Sequence, residues 1–139
     1  MTEQQKYRSK PERDIADLLT KYDIPFIYEK PTAVVDDGKT KLWYPDFTLA
    51  YGLLVEYFGV NGNQGYRDRT KHKLKVYREN QIPVLQLYPQ NMQGNWEPKF
   101  LSRLDKTLEN QVKDYRTRIA RPFCAPSSGQ YSHRPVYQQ

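Results

Sequence analysis

The stretch that decides the fold of this chain is Tyr44-Pro45-Asp46-Phe47-Thr48-Leu49-Ala50-Tyr51-Gly52-Leu53-Leu54-Val55-Glu56-Tyr57-Phe58-Gly59. Two mostly apolar segments flank a short turn, which predicts a pair of β-strands. Each segment contains one carboxylate, Asp46 or Glu56, among residues that suit a buried strand. Two acids on neighbouring strands repel each other unless a cation lies between them. The stretch is therefore a candidate metal site.

The turn sets which residues of the two strands lie opposite each other. A three-residue loop, Ala50-Tyr51-Gly52, puts Gly52 where a left-handed backbone is needed, and glycine adopts that conformation without steric cost. In that register Asp46 lies opposite Glu56. A two-residue loop, Tyr51-Gly52, shifts the register by one residue and puts the acids on opposite faces. We favour the three-residue loop because it explains why a glycine occupies position 52.

Period-two alternation in this register also predicts the core face of the two strands. We expect that face to consist of Trp43, Pro45, Phe47, Leu49, Leu53, Val55 and Tyr57. Both acids fall on the opposite face.

Composition limits the class of protein. A chain of 139 residues is long enough for one domain with a proper core. Lys and Arg total 22 against 16 Asp and Glu, a net charge of +6 that favours an anionic partner such as nucleic acid. The single cysteine, Cys124, excludes an internal disulfide and a cysteine-rich metal site. The sequence shows no membrane-spanning run and no signal-peptide pattern, so we expect a cytoplasmic protein without a membrane partner.

Local signals predict the order of the elements. A helix begins at Ser9-Lys10-Pro11-Glu12, with a serine cap, a proline in the first turn and a glutamate three residues after the cap. The predicted order is helix, three strands, helix, strand, helix. We expect the next strands at Phe26 to Glu29 and on both sides of the Asp37-Gly38 turn, the second of which continues into Asp46. They are followed by a strand from Leu53 to Glu56, a helix from Tyr66 to Asn80, a strand from Ile82 to Tyr88 and a helix from Glu97 to about Arg118.

This order predicts an α/β fold with a mixed central sheet flanked by helices. We expect a flexible N-terminus over residues 1–8, one domain over 9–120, and a loosely ordered tail over 121–139, where Pro, Ser and Gly accumulate.

The helix from Tyr66 is expected to carry one inward-facing lysine. At about 100° per residue, Tyr66, Lys73 and Tyr77 fall within roughly 40° of one another, while Lys71 and Lys75 point towards solvent. A lysine beside the two acids would offset their repulsion and hold positive charge where a phosphate binds. The alternative is that Lys73 buries its stem and keeps its amine in water without any function.

Glu12 has a structural explanation. A glutamate at the third helical position is explained by capping of the first helix, with no further function needed. Capping is compatible with a second role for the same carboxylate.

Pro45-Asp46, followed on the next strand by Glu56, resembles the PD-(D/E)XK nuclease superfamily, the restriction-endonuclease-like fold. The predicted order is similar to its αβββαβ core, here with an added C-terminal helix, and the resemblance covers residues 9–89. It implies that Asp46 and Glu56 are metal ligands and that Glu12 is a catalytic acid from the first helix. The implied cofactor is Mg²⁺, with Mn²⁺ as an alternative.

The chain departs from the family at Phe58, where the catalytic lysine is expected. Some branches have this lysine on the following helix. The chain is similar to nuclease segments of some superfamily-one helicases, in which a Glu-Tyr-aromatic-Gly strand end precedes a helix with a tyrosine, a lysine and a second tyrosine. The matching residues here are Glu56-Tyr57-Phe58-Gly59, Tyr66, Lys73 and Tyr77, with Lys71 as the alternative lysine.

The resemblance implies a metal-dependent DNA endonuclease with Asp46, Glu56, Lys73 and Glu12 in its catalytic site. Basic residues of the second helix are expected to bind DNA phosphates: Arg67, Arg69, Lys71, Lys75 and Arg78. Because a single site cuts one strand at a time, double-strand cleavage would require a homodimer or higher homo-oligomer. The alternatives are a non-catalytic nucleic-acid-binding module on a degenerate nuclease fold, which the lost lysine at position 58 favours, and a protein that binds or cleaves RNA.

Overall fold

The computed structural model of the protein describes residues 6–59 and 63–120, with side chains described as far as residue 118. The expected tail, Cys124 and most of the expected flexible N-terminus lie outside the described residues. The elements are α1 (Lys10–Lys21), β1 (Ile27–Tyr28), β2 (Thr32–Asp36), β3 (Lys39–Trp43), β4 (Phe47–Thr48), β5 (Leu54–Tyr57), α2 (Gln64–Glu79), β6 (Val84–Leu87) and α3 (Trp96–Ala120). Single 3₁₀ turns cover Ala50–Gly52 and Pro89–Met92.

The central sheet is mixed and has the strand order β1-β4-β5-β6. The first two pairings are antiparallel, and β5 pairs with β6 in parallel across the helical connection α2. The sheet strands and helices therefore follow the predicted order, with β1, β4 and β5 as the three strands between α1 and α2. The α/β fold class with a mixed central sheet is confirmed.

The strand predicted to continue into Asp46 is interrupted. Strand β3 ends at Trp43 and, among the described residues, pairs only with β2, in a separate two-stranded sheet inserted between β1 and β4. Pro45 explains the break, because proline has no N–H to donate to a strand ladder. The insertion places Trp43 outside the central sheet.

The β4–β5 register is the one that the three-residue loop predicts. Phe47 pairs with Val55 and Thr48 with Leu54, so that Asp46 lies opposite Glu56. Gly52 has a φ of 71°, in the left-handed region, as predicted. The turn differs in one respect, because Tyr51 also has a positive φ, of 59°.

Apolar residues pack on both faces of the sheet. The larger cluster lies between the sheet, α1 and α3, and includes Phe47, Val55 and Phe100. The smaller cluster lies under α2; it consists of Val34, Leu54, Val76 and Tyr77, with Trp43, Ile82 and Val84 packed against it. The expectation that Trp43 belongs with Phe47 and Val55 is therefore wrong. Its strand lies in the inserted hairpin, which packs under α2.

The helices begin and end close to their predicted positions. Ser9 caps α1, and its hydroxyl accepts the N–H of Glu12 at 3.3 Å. The C-cap of α1 is Tyr22, and the N-cap of α2 is Asn63. Over the described ranges, we find no helix long and apolar enough to cross a membrane.

Candidate active site

Asp46 and Glu56 are held side by side by backbone hydrogen bonds. The N–H of Asp46 donates to Oε1 of Glu56 at 3.2 Å, and the N–H of Tyr57 donates to Oδ2 of Asp46 at 2.8 Å. Glu56 is 2% exposed, whereas Asp46 is partly exposed. The β4–β5 register thus brings two carboxylates together, one buried and one accessible, and orients both through main-chain donors.

Helix α2 supplies two further groups to Glu56. Nζ of Lys73 lies 3.0 Å from Oε2 of Glu56, and the Tyr77 hydroxyl donates to the same oxygen at 2.6 Å. The side chain of Lys73 is 35% exposed, so its ammonium faces both the carboxylate and solvent. Lys71, the alternative lysine, is exposed, and about 160° of helix rotation separates it from Lys73.

Phe58 occupies the position where the resemblance implies a lysine. Its side chain is 4% exposed, and the ammonium of Lys73 lies 5.9 Å from the centre of its ring. The ammonium of Lys73, from α2, therefore lies over the ring of Phe58 and supplies the positive charge that a lysine at position 58 would carry. The contact is also within the range of a cation–π interaction.

The pKa of Asp46 is raised to about 7. Burial is the largest cause, and the negative charges of Glu56 and, more weakly, Glu12 act in the same direction. The N–H of Tyr57 and the ammonium of Lys73 oppose the shift without cancelling it. Burial also raises the pKa of Tyr77, and Glu56 adds to that rise. Negative charge at Asp46 is thus incompletely compensated, which favours cation binding.

The Glu12 carboxylate is engaged in the first turn of α1 and with β1. Oε2 accepts the Ser9 hydroxyl at 3.0 Å, and Oε1 accepts the Tyr28 hydroxyl at 2.5 Å. Glu12 therefore takes part in capping α1. It also lies close enough to the site for its charge to raise the pKa of Asp46.

The described residues contain no group of three or more His, Cys, Asp or Glu side chains arranged to hold a metal ion. The potential ligand set at this site is thus the pair of Asp46 and Glu56. Two carboxylates suffice for Mg²⁺, which keeps several waters and takes further ligands from substrate phosphate.

A cleft of about 580 Å³ opens beside Lys73, between α2 and the end of β3. Its lining consists of Leu42, Trp43, Tyr44, Asp68, Arg69, His72 and Lys73.

The five basic residues expected to bind nucleic acid are all exposed on α2. Arg69 lines the cleft, about 40° around the helix from Lys73. The other four lie about 120–160° from Lys73, on the far side of the helix: Arg67, Lys71, Lys75 and Arg78.

Two residues with contacts in this region lie outside the sequence predictions. Tyr77 falls on the same stripe as Lys73, one helical turn later, and this spacing is the signal that indicates a shared partner. Asp36 was not singled out at all: it is 7% exposed, and its Oδ2 lies 2.8 Å from Nζ of Lys41 and 3.0 Å from Nε2 of His72. The hydrogen bond from Lys41, and then that from His72, lowers its pKa. No sequence signal links Asp36 to His72, because the pairing depends on how the hairpin packs against α2.

No known protein-family model and no curated protein matches the chain. Among solved structures, the chain is similar to one described as "Homing Endonuclease I-Bth0305I Catalytic Domain", with 24% sequence identity and a TM-score of 0.44. The match covers 81% of this chain and 99% of that one. We therefore infer the function of this protein from its own residues and their contacts.

Proposed function

We propose that the protein is a metal-dependent DNA endonuclease. Its active site, formed by Asp46, Glu56 and Lys73, would hydrolyse phosphodiester bonds of DNA. The observation that carries this proposal is the convergence of two carboxylates from adjacent strands with a lysine from the next helix, 3.0 Å from one of them. The sequence predicts the register that puts Asp46 opposite Glu56 and an inward-facing lysine, Lys73, on the next helix.

The donor set fits Mg²⁺ or Mn²⁺. Both cations prefer hard carboxylate oxygens. Asp46 is partly exposed, and its raised pKa indicates that the negative charge of its carboxylate is incompletely compensated. The Glu56 carboxylate is already oriented by the N–H of Asp46 and the hydroxyl of Tyr77. When bound, Mg²⁺ would polarise the phosphate and lower the pKa of a coordinated water.

Each residue of the site is proposed to have a separate role in phosphodiester hydrolysis. Hydrolysis forms a bond from water oxygen to phosphorus and breaks the bond to the leaving oxygen. Asp46 and Glu56 would hold the cation, and Lys73, which is partly exposed, would neutralise a phosphate oxygen or orient the attacking water. Tyr77 would keep the Glu56 carboxylate in place through its 2.6 Å hydrogen bond. Glu12 would act on the site through its charge or through a water molecule.

The basic residues of α2 are proposed to have unequal roles. Arg69 lies on the cleft beside Lys73 and is the best placed to contact a phosphate next to the scissile one. Arg67, Lys71, Lys75 and Arg78 face away from the site, so we propose for them a long-range attraction for DNA rather than contact with the cleaved strand.

Cleavage of supercoiled plasmid and of branched DNA tests this proposal. Wild-type protein with Mg²⁺ is expected to nick DNA, while Asp46→Ala and Lys73→Ala are expected to lose at least about 100-fold in rate, as removal of one charge-stabilising group does. Lys106→Ala is the control, because it removes an exposed lysine of α3 to which no role in DNA binding is assigned, and it should retain activity. Absence of metal-dependent cleavage by wild type on every DNA tested would exclude the nuclease, and unchanged cleavage by Asp46→Ala would exclude this site.

A non-catalytic nucleic-acid-binding module is the second candidate, favoured by the phenylalanine at position 58. It predicts DNA binding without cleavage, and binding that Lys73→Ala weakens only a few-fold. RNA of the same sequence in the same assay tests the third, RNA-directed alternative. Linear products at the earliest times would indicate a homodimer or higher homo-oligomer, because one site cuts one strand.

A further inference from the structure

We propose that the cleft beside Lys73 binds an unpaired nucleotide of a DNA strand, and that DNA with unpaired bases is therefore the substrate class. The substrate claim rests on the nuclease function proposed above, whereas binding in the cleft is measurable without it.

The size and position of the cleft suit one nucleotide. Its volume of about 580 Å³ lies within the range of roughly 300–1,000 Å³ typical of small-molecule sites. Lys73 belongs both to its lining and to the carboxylate pair. Tyr44, on the opposite wall, stands two residues before Asp46 in the chain. A phosphate at Lys73 would thus have its own sugar and base beside the cleft.

Two aromatic side chains line the cleft, and they differ in how they are held. Trp43 packs edge-on against Tyr77, with ring centres 5.4 Å apart, so the core of the protein fixes its position. Tyr44 is 55% exposed and stacks on no ring within the described part of the chain. Aromatic side chains in a positively charged groove are the surfaces on which proteins stack the bases of single strands.

The bases of a continuous duplex cannot stack on these two aromatic rings. In a duplex the face of each base is covered by its neighbours, and only base edges are accessible in the grooves. A base must leave the stack, or be unpaired already, to place its face against Tyr44. The aromatic lining therefore favours single-stranded or locally unpaired DNA over continuous duplex.

The charge of the cleft complements a phosphodiester. The basic residues Arg69 and Lys73 line it on the α2 side, against one acid, Asp68, whose Oδ1 accepts a hydrogen bond from Gln64 at 2.8 Å. The imidazole of His72 is oriented by Asp36, at 3.0 Å from Nε2. Cations beside aromatic rings supply backbone attraction and base stacking together.

Fluorescence of 2-aminopurine measures stacking in this cleft directly. Wild-type protein in EDTA, which prevents cleavage, is titrated against one oligodeoxynucleotide as a single strand, as a duplex with an unpaired 2-aminopurine flap, and as a fully paired duplex. We expect quenching and at least about tenfold tighter binding for the first two, since stacking adds to the backbone attraction that all three share.

Tyr44→Ala should weaken binding of the unpaired probes by about 5- to 100-fold and leave the paired duplex unchanged, whereas Tyr44→Phe should bind within about threefold of wild type. Tyr115→Ala is the matched control, because Tyr115 is an exposed tyrosine of α3 outside the cleft. Equal binding of paired and unpaired probes, an equal loss in Tyr115→Ala, or equal binding of the RNA counterpart would overturn the proposal.

Cleavage with Mg²⁺ then separates the two proposals. Selective binding of unpaired DNA without cleavage would support the cleft and refute the nuclease. Cleavage of paired and unpaired DNA at equal rates, with Tyr44→Ala as active as wild type, would support the nuclease and overturn the cleft.

Discussion

The side-chain nitrogen of Lys73 lies 3.0 Å from Oε2 of Glu56, a carboxylate that is 2% exposed. The lysine belongs to α2 and the glutamate to β5, so the contact joins a helix to the central sheet. A buried carboxylate is costly unless it is paired and hydrogen-bonded. The same contact that we propose for catalysis is therefore expected to contribute to stability.

Lys73→Ala is expected to lower the free energy of unfolding by about 1–3 kcal/mol at pH 7. The loss is smaller than for a fully buried pair, because Lys73 is 35% exposed and the Tyr77 hydroxyl still donates to Glu56. Urea unfolding measures it, with exposed Lys75→Ala as a control expected to change by less than about 0.5 kcal/mol. Equal stability of the two variants would show that the ion pair contributes nothing to folding.

Tyr77→Phe removes one hydroxyl from a buried environment and leaves Oε2 of Glu56 with one donor fewer. We expect a loss of about 1–3 kcal/mol, as for other hydrogen bonds to a charged group. Tyr115→Phe, at an exposed tyrosine of α3, should be neutral. In a Glu56→Gln background the loss should shrink, because the acceptor is no longer charged; an undiminished loss would assign the effect to packing instead.

The contribution of Asp46 to the stability of the metal-free protein should fall as the pH rises towards 7. The pKa of Asp46 is about 7 in the folded protein, against 3.8 for an unperturbed aspartate, so between these values the folded state binds more protons than the unfolded state. This contribution is then largest below the unfolded pKa and decreases by up to about 1.4 kcal/mol per pH unit until the folded pKa is passed. Asp46→Asn removes it.

Urea unfolding of wild type and Asp46→Asn in EDTA at pH 5, 6, 7 and 8 isolates this contribution, since groups that do not interact with Asp46 cancel in the difference. The stability difference should move in favour of Asp46→Asn as the pH increases. A difference that is constant with pH would contradict the raised pKa.

Asn80 is expected to hold the β2–β3 hairpin against α2. Its side chain accepts the N–H of Val35 at 2.9 Å and donates to the carbonyl oxygens of Val35 at 3.0 Å and Val76 at 2.8 Å. Asn80→Ala should cost about 1–2 kcal/mol and speed hydrogen exchange at the Val35 amide. Asn80→Asp should cost at least as much, because a carboxylate can accept from Val35 but cannot donate, and it lies at a helix C-terminus. Unchanged exchange at Val35 in both variants would contradict this role.

Much of the fold follows from short-range signals. Ser9 begins α1, Gly52 sets the β4–β5 loop, and period-two alternation then puts Asp46 opposite Glu56. Helical periodicity places Lys73 on the side of α2 that faces the sheet. Each of these signals acts within a single helix or hairpin, so the sequence contains it in readable form.

Other features join segments that are distant in the chain. The contacts of Asp36 with His72 and of Val35 with Asn80 connect the inserted hairpin to α2, and no periodicity links these residues. The same applies to Trp43, which was expected on the core face with Phe47 but packs under α2. Pro45 indicates a break in the strand. The distance between β3 and the central sheet, however, depends on which apolar surface the hairpin packs against.

The sequence by itself therefore determined the order of the helices and central-sheet strands, the register that puts the two acids opposite each other, and the face of α2 that carries the lysine. Only the tertiary structure decided that Lys73 and Tyr77 meet on one oxygen of Glu56, and that the cleft with Trp43 and Tyr44 opens beside them. The physical reason is range. Backbone geometry and periodicity act between residues close in the chain, whereas the meeting of side chains from α2, β5 and the hairpin depends on how three separately formed surfaces pack.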